Sequence, residues 1–206
     1  KIVGDSFLDI LILSAHPPAP GCDSLLSTPI AELPGGSGLN SVTHIANFTA
    51  STASSTSTKI EFHSSVNCDR HGTILSTHLT SLPSTLFINH HTPSAGSTGH
   101  CVVISSPADR SFYTHRGCIA SFNPPLPSPT DPTQQHLHFA GLANCPSLSS
   151  SSSLITALKA HPNNSLSPQW STDLSSIITP LLPHLKYLLI NEEEANKIAD
   201  STNIKT

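Results

Sequence analysis

Apolar positions along this chain fall into short continuous runs separated by segments with helical spacing. KIVGDSFLDI begins as a strand, and LILSAHPPAP continues extended into a Pro-rich turn. In 39–50 the residues Val42, Ile45, Ala46 and Thr49 recur at the spacing of one helical face. IEFHSSV at 60–66 alternates like a strand, and 69–82 places Ile74, His78, Leu79 and Leu82 on one helical face. HCVVIS and SFYTH flank the polar turn SPADR, which predicts a hairpin. LHFAGL (137–142) and KYLLIN (186–191) are short apolar runs of the kind found in buried parallel strands. A short helix is predicted over Leu154–Lys159. A longer one carries Leu174, Ile177, Ile178, Leu181 and Leu185, perturbed by Pro180 and Pro183. EEEANKIAD (192–200) opens a helix whose acidic first turn suits the helix dipole. Strands alternating with helices imply an α/β fold around a mostly parallel sheet. The hairpin at 100–115 and the extended region 10–34 break that rhythm and are expected to pair as a separate small sheet.

Composition narrows the class. Hydrophobic residues make up 36% and charged residues 11% of the 206 residues, with Ser, Thr and Pro filling the difference. Thr49–Thr58 and Ser147–Ser153 therefore read as flexible surface insertions. A net charge of −4 leaves no basic footprint, which argues against nucleic acid as a partner. No run approaches the roughly 18 apolar residues that span a bilayer, so no membrane partner is expected. Five scattered cysteines without a C-x-x-C pair argue against disulfides or zinc and for a reducing, cytoplasmic compartment. Of the thirteen histidines, His90–His91 are adjacent, and His136 and His138 lie in a strand-like run. They read as surface or core residues rather than metal ligands. The sequons at Asn47 and Asn163 read as chance matches. The chain opens at Lys1 inside a strand and holds no methionine, which suggests a fragment.

Four stretches carry candidate chemistry. GDSFLD puts Asp5 and Asp9 at the end of the first strand, at the sheet edge where α/β proteins bind ligands. A carboxylate there can accept hydrogen bonds from neighbouring hydroxyls. PGGSGLN (34–40) places Gly35 and Gly36 before a helix start, where backbone can approach a ligand and Asn40 can both donate and accept. It is neither a phosphate-binding loop of the G-x-x-x-x-G-K-[ST] type nor a dinucleotide fingerprint. The hairpin stretch with Thr98, Gly99, Arg110, Arg116 and Gly117 could cover a cleft or merely decorate the surface. Asn191 and Glu194 in INEEEA sit three residues apart at the end of a strand. They could organise hydrated Mg²⁺ and a phosphate oxygen, or simply start a helix.

These stretches, with SSVNCDRHG (64–72) and HFAGL, resemble in order and content the PfkB-type (ribokinase-like) carbohydrate kinases, N-terminal portion only. The resemblance implies a three-layer α/β sandwich with a small β lid, truncated at the C-terminal side. Residues 1–206 form one partial kinase domain, with lid segments near 10–34 and 93–122. It implies transfer of the ATP γ-phosphate to a hydroxymethyl group of a sugar, with Asp9, Gly35, Gly36 and Asn40 as the substrate site. Asn191 and Glu194 would serve ATP, and Glu194 Mg²⁺. It also allows a homodimer through the lid. The family's catalytic aspartate, in a G-A-G-D-type motif, is expected beyond Thr206, so this stretch alone is expected to be inactive. A nucleoside kinase of the same superfamily stays open, as does a non-catalytic truncated sugar-binding or interaction module.

Overall fold

The computed structural model describes residues 1–14, 19–51, 59–83, 87–91, 96–107, 109–126, 128–129, 131 and 135–202. The Pro-rich turn of LILSAHPPAP, and most of the Thr49–Thr58 tract beyond Ser51, lie outside the described residues. The strands are β1 (Ile2–Gly4), β2 (Phe7–Leu13), β3 (Ala31–Gly35), β4 (Ile60–Ser64) and β5 (Phe87–His91), then β6 (His100–Ser105), β7 (Arg110–His115), β8 (Leu137–Ala140), β9 (Asn164–Ser167) and β10 (Tyr187–Leu188). The α-helices are α1 (Ser37–Ser51), α2 (Arg70–Ser81), α3 (Pro146–Ser149), α4 (Ser152–Ala160), α5 (Leu174–Ile178) and α6 (Glu192–Thr202).

Six strands form one sheet in the order β10-β9-β8-β1-β4-β5, with every neighbouring pair parallel. Alternation along the central strands sends side chains into two separate cores. Ile2, Ile60 and Phe62 pack with Leu39, Val42 and Ala46 of α1 and Leu75 and Leu79 of α2. Val3, Leu137, Phe139 and Leu166 pack with Leu148, Leu154, Leu158, Leu174, Ile178 and Ile198. Helices therefore cover both faces, giving the expected three layers. β3-β2-β6-β7 form a second sheet, in which β2 runs antiparallel to β3 and parallel to β6, and β6 and β7 make the expected hairpin.

Several expectations change. The opening apolar run is two strands in two sheets, because the chain turns at Asp5 and Ser6 from the large sheet to the small one. Both halves are apolar, so the pattern alone cannot show the switch. The helix expected over 174–185 stops at Ile178, since Pro180 has no N–H to continue it. A 3-10 turn at Leu182–His184 follows. KYLLIN is a two-residue edge strand rather than a buried one, with Tyr187 and Leu189 half exposed. The Ser-rich stretch 147–153 is not a loose insertion. It forms α3 and the start of α4, burying Leu148 while Ser151 caps α4 through the Ser153 N–H. On α2 the buried face centres on Leu75 and Leu79, and His78 bonds Thr43 of α1 at 2.8 Å. Among the described residues, no helix is long and apolar enough to cross a membrane.

One buried acid joins these parts. Asp5, fully buried at the end of β1, accepts from the Gly38 N–H at 2.9 Å, the Ser37 N–H, and Asn144 Nδ2 at 2.7 Å. Its own carbonyl accepts from the Leu39 N–H at 3.1 Å. The otherwise unpaired amides that open α1 are thus taken internally. Burial pushes the Asp5 carboxyl up to about 6, against the hydrogen bonds that favour its charged form. Gly36, at φ +92°, turns the chain into α1 in a conformation that a side chain resists.

Asp5→Ala leaves three donors without an acceptor in a closed site. It is expected to cost about 3 kcal/mol and lower the melting temperature by roughly 6–12 °C. Gly36→Ala is expected to cost about 1–2 kcal/mol through its positive φ. Thermal denaturation of both variants checks this, and unchanged melting would contradict the assignment.

Candidate active site

The small sheet carries a second acid in a different state. Asp9 lies in the middle of β2, beside Leu33 of β3 and Cys101 of β6, not at the end of the first strand as the sequence suggested. Its side chain is half-buried, and among the described residues nothing donates a hydrogen bond to the carboxylate. Burial pushes its carboxyl up to about 6. An acid that is partly desolvated yet unpartnered is costly to keep, and such groups concentrate at functional sites.

Gly35 explains how the acid reaches this position. A Cβ at residue 35 would lie 2.1 Å from Asp9 Oδ2, so the carboxylate occupies the space a side chain would take. The structure therefore brings Asp9 and Gly35 together. Gly36 follows directly, and Asn40 sits in the first turn of α1, exposed, with its N–H bonded to the Gly36 carbonyl at 2.9 Å. Cys101 is a neighbour that the sequence did not single out. Its Sγ lies 3.2 Å from Thr114 Oγ1, and burial, with the nearby Asp9 charge, pushes its thiol up against the Thr114 contact. Only the cross-strand register places these residues together, because 92 residues separate Asp9 from Cys101 in sequence.

Two stretches quoted separately in the sequence also meet. Asp69 caps α2 through the Gly72 N–H at 2.8 Å, and its other oxygen accepts from the Thr98 N–H at 2.7 Å. Thr98 is fully buried just before β6, so this bond fastens the small sheet to α2. Arg70 adds a forked pair to Glu32 of β3 at 2.7 and 2.6 Å, with both groups exposed.

Asn191 and Glu194 lie at the far end of the large sheet, with β9 and β8 between β10 and β1. The two residues bond each other: the Glu194 N–H donates to Asn191 Oδ1 at 2.8 Å, and the Asn191 N–H donates to Glu194 Oε2 at 3.1 Å. This reciprocal cap satisfies the start of α6. The cap engages the single side-chain oxygen of Asn191 and one carboxylate oxygen of Glu194, which leaves the second Glu194 oxygen, of the type a hard cation takes. That fits contact with a magnesium ion through its waters better than a closed cage. Among the described residues no group of three or more His, Cys, Asp and Glu has metal-site geometry. His136 and His138 instead share Ser165 Oγ, at 2.7 and 2.8 Å.

No family model matches the chain, and no curated protein does. Solved structures do. Ribokinase from Cryptococcus neoformans var. grubii serotype A, in complex with ADP, aligns with a TM-score of 0.70 at 20% identity, over 98% of this chain and 60% of that one. Arabidopsis thaliana ribokinase, complexed with ribose and ATP, aligns at 0.68 and 19%, over 97% and 62%. Anopheles gambiae adenosine kinase, in complex with P1,P4-di(adenosine-5) tetraphosphate, aligns at 0.69 and 19%, over 100% and 68%. The chain thus spans about 60% of the length of the ribokinases it matches. Three layers, a small second sheet and these alignments converge on one conclusion: the chain has the ribokinase-like fold.

Proposed function

We propose that this chain carries the acceptor-binding part of an ATP-dependent kinase that phosphorylates a hydroxymethyl group of a sugar or nucleoside. The observation that carries this reading is the unpartnered, half-buried Asp9 carboxylate seated against Gly35. In this reading the carboxylate accepts hydrogen bonds from two neighbouring hydroxyls of the acceptor. The Gly35–Gly36 corner allows close approach, and Asn40 adds one donor and one acceptor. The small sheet serves as a lid, excluding water from the reacting hydroxyl. Asn191 and Glu194 would hold hydrated Mg²⁺, which supplies charge neutralisation to the ATP phosphates when bound. The catalytic base is assigned to no residue of this chain.

A non-catalytic binding module is the second reading. It is favoured by one observation: the reciprocal cap between Asn191 and Glu194 accounts for both residues without any metal.

Asp9→Ala and Asn40→Ala are each expected to weaken binding of the acceptor by about 1–3 kcal/mol. Calorimetric titration of the chain with ribose, fructose and adenosine measures it; unchanged affinity in both variants would remove the site assignment. Addition of Mg²⁺ with ATP separates the two readings, since the binding module shows no magnesium-dependent nucleotide affinity.

The raised carboxyl of Asp9 also predicts two opposed pH effects. Acceptor binding needs the ionised form, so affinity is retained above about pH 6 and declines below it. Stability runs the other way. The folded value lies above the unfolded one, so the contribution is fully present below the unfolded value near 3.8 and is lost as the pH rises through about 6. Asp9→Asn is therefore expected to raise the melting temperature at pH 7.5 by a few degrees and to leave it unchanged near pH 3.5. Melting curves across that range decide it.

A further inference from the structure

Among the described residues, a single non-glycine residue holds a left-handed backbone: Gln169, at φ +71°. It lies just beyond β9, at the end of the sheet that also carries the Asp5 corner. The turn before it is tied down on the neighbouring chain segment. Ser167 O accepts from the Gly141 N–H at 2.8 Å, and Pro168 O accepts from the Ala143 N–H at 2.9 Å. From that turn Gln169 Oε1 accepts a 2.8 Å hydrogen bond from the hydroxyl of Ser37, the first residue of α1. The amide nitrogen of Gln169 donates to none of the described residues. Trp170, the single tryptophan of the chain, comes next and is 54% exposed.

Each feature is unfavourable by itself. A left-handed glutamine is strained where glycine would sit at ease, and an exposed indole leaves a large apolar face in water. Backbone strain of this kind persists where surrounding structure enforces it, and it clusters at ligand sites. Here both features fall on consecutive residues beside the glycine corner. We propose that Gln169 and Trp170 form a platform for a heteroaromatic base, whose ring stacks on the indole while the amide donors of Gln169 bond its edge. A flat fused ring matches the indole face, and a primary amide with free donors pairs with acceptor atoms on a base edge. The indole and one amide by themselves offer few partners to a ring with hydroxyls on all sides, whose hydroxyls are answered by Asp9 in the kinase reading. The inference deepens the kinase reading and rests on it for its consequence: the acceptor is a nucleoside. The same chemistry is carried by the base of ATP, and the test separates the two.

With only one tryptophan, indole emission of the intact chain reports on this spot directly. Adenosine, ATP with Mg²⁺, ribose and fructose are titrated separately. Saturable quenching by adenosine with ribose and fructose silent is expected, and assigns the platform to the acceptor. Quenching by ATP with adenosine silent supports the platform but assigns it to the nucleotide. Silence toward both bases, or equal quenching by the free sugars, overturns the proposal. Calorimetry with adenosine then covers the variants: Trp170→Ala is expected to lose about tenfold or more in affinity, and Trp170→Phe to keep most of it. Gln169→Gly is expected to raise the melting temperature while weakening adenosine severalfold, the signature of strain kept for binding. Wild-type adenosine affinity in both Trp170→Ala and Gln169→Gly overturns the proposal. Asp9-dependent binding of free sugars beside a silent Trp170 would do so while leaving the kinase reading in place.

Discussion

A buried charge must find partners, and Asp5 finds them on two different segments. Its carboxylate holds the opening amides of α1 on one side and the amide of Asn144, just past β8, on the other. Its carbonyl takes a third amide of the helix. The bonds cross the boundary between the two cores, since α1 packs on one face of the large sheet while the segment after β8 packs on the other. Fixing Asp5 therefore fixes where β1 ends, where α1 begins, and where the chain leaves for the small sheet. Desolvation weighs on this acid, and the bonds offset part of that cost.

Four residues later the same residue type meets the opposite circumstance. Asp9 is also partly desolvated, but no donor among the described residues answers it. The difference follows from what each acid faces. Asp5 faces a helix start, which always has amides to give. Asp9 faces Gly35, whose missing side chain makes room for the carboxylate and supplies no donor from a side chain. One acid is a structural joint; the other is an acceptor left open. The helix dipole and amides of α1, which would attract an anion if free, are already engaged by Asp5. In the proposed reading, recognition at this corner therefore rests on side chains, with Asp9, Asn40 and the Ser37–Gln169 pair around one glycine turn.

The small sheet is joined to the larger body both by shared core, since Phe7 and Leu8 of β2 enter the two cores, and by polar contacts with the start of α2. Asp69 holds Thr98 at the entry to β6, and Arg70 holds Glu32 on β3. The first bond is buried at its Thr98 end and the second is exposed, so they differ in strength. An arrangement of this kind keeps the small sheet in place while leaving its outer strand β7 exposed along its whole length.

Much of this was legible in the order of residues. Short apolar runs such as LHFAGL pick out a buried parallel strand because both faces of that strand meet helices. The spacing of Val42 and Ala46 marks the buried stripe of α1, and Pro180 marks where α5 must stop. PGGSGLN announces a special helix start, though for a partly different reason than ligand approach, since Asp5 fills most of it. What the linear pattern could not decide is which of two aspartates is satisfied. That depends on donors brought in from residues 33 and 139 positions away in the chain. Nor could it show the change of sheet at Asp5–Ser6, the neighbour Cys101, or the left-handed turn at Gln169. Local sequence sets periodicity and turn chemistry, because those follow from neighbouring side chains. Partnership and strain are imposed by distant segments, and only the packed structure determines them.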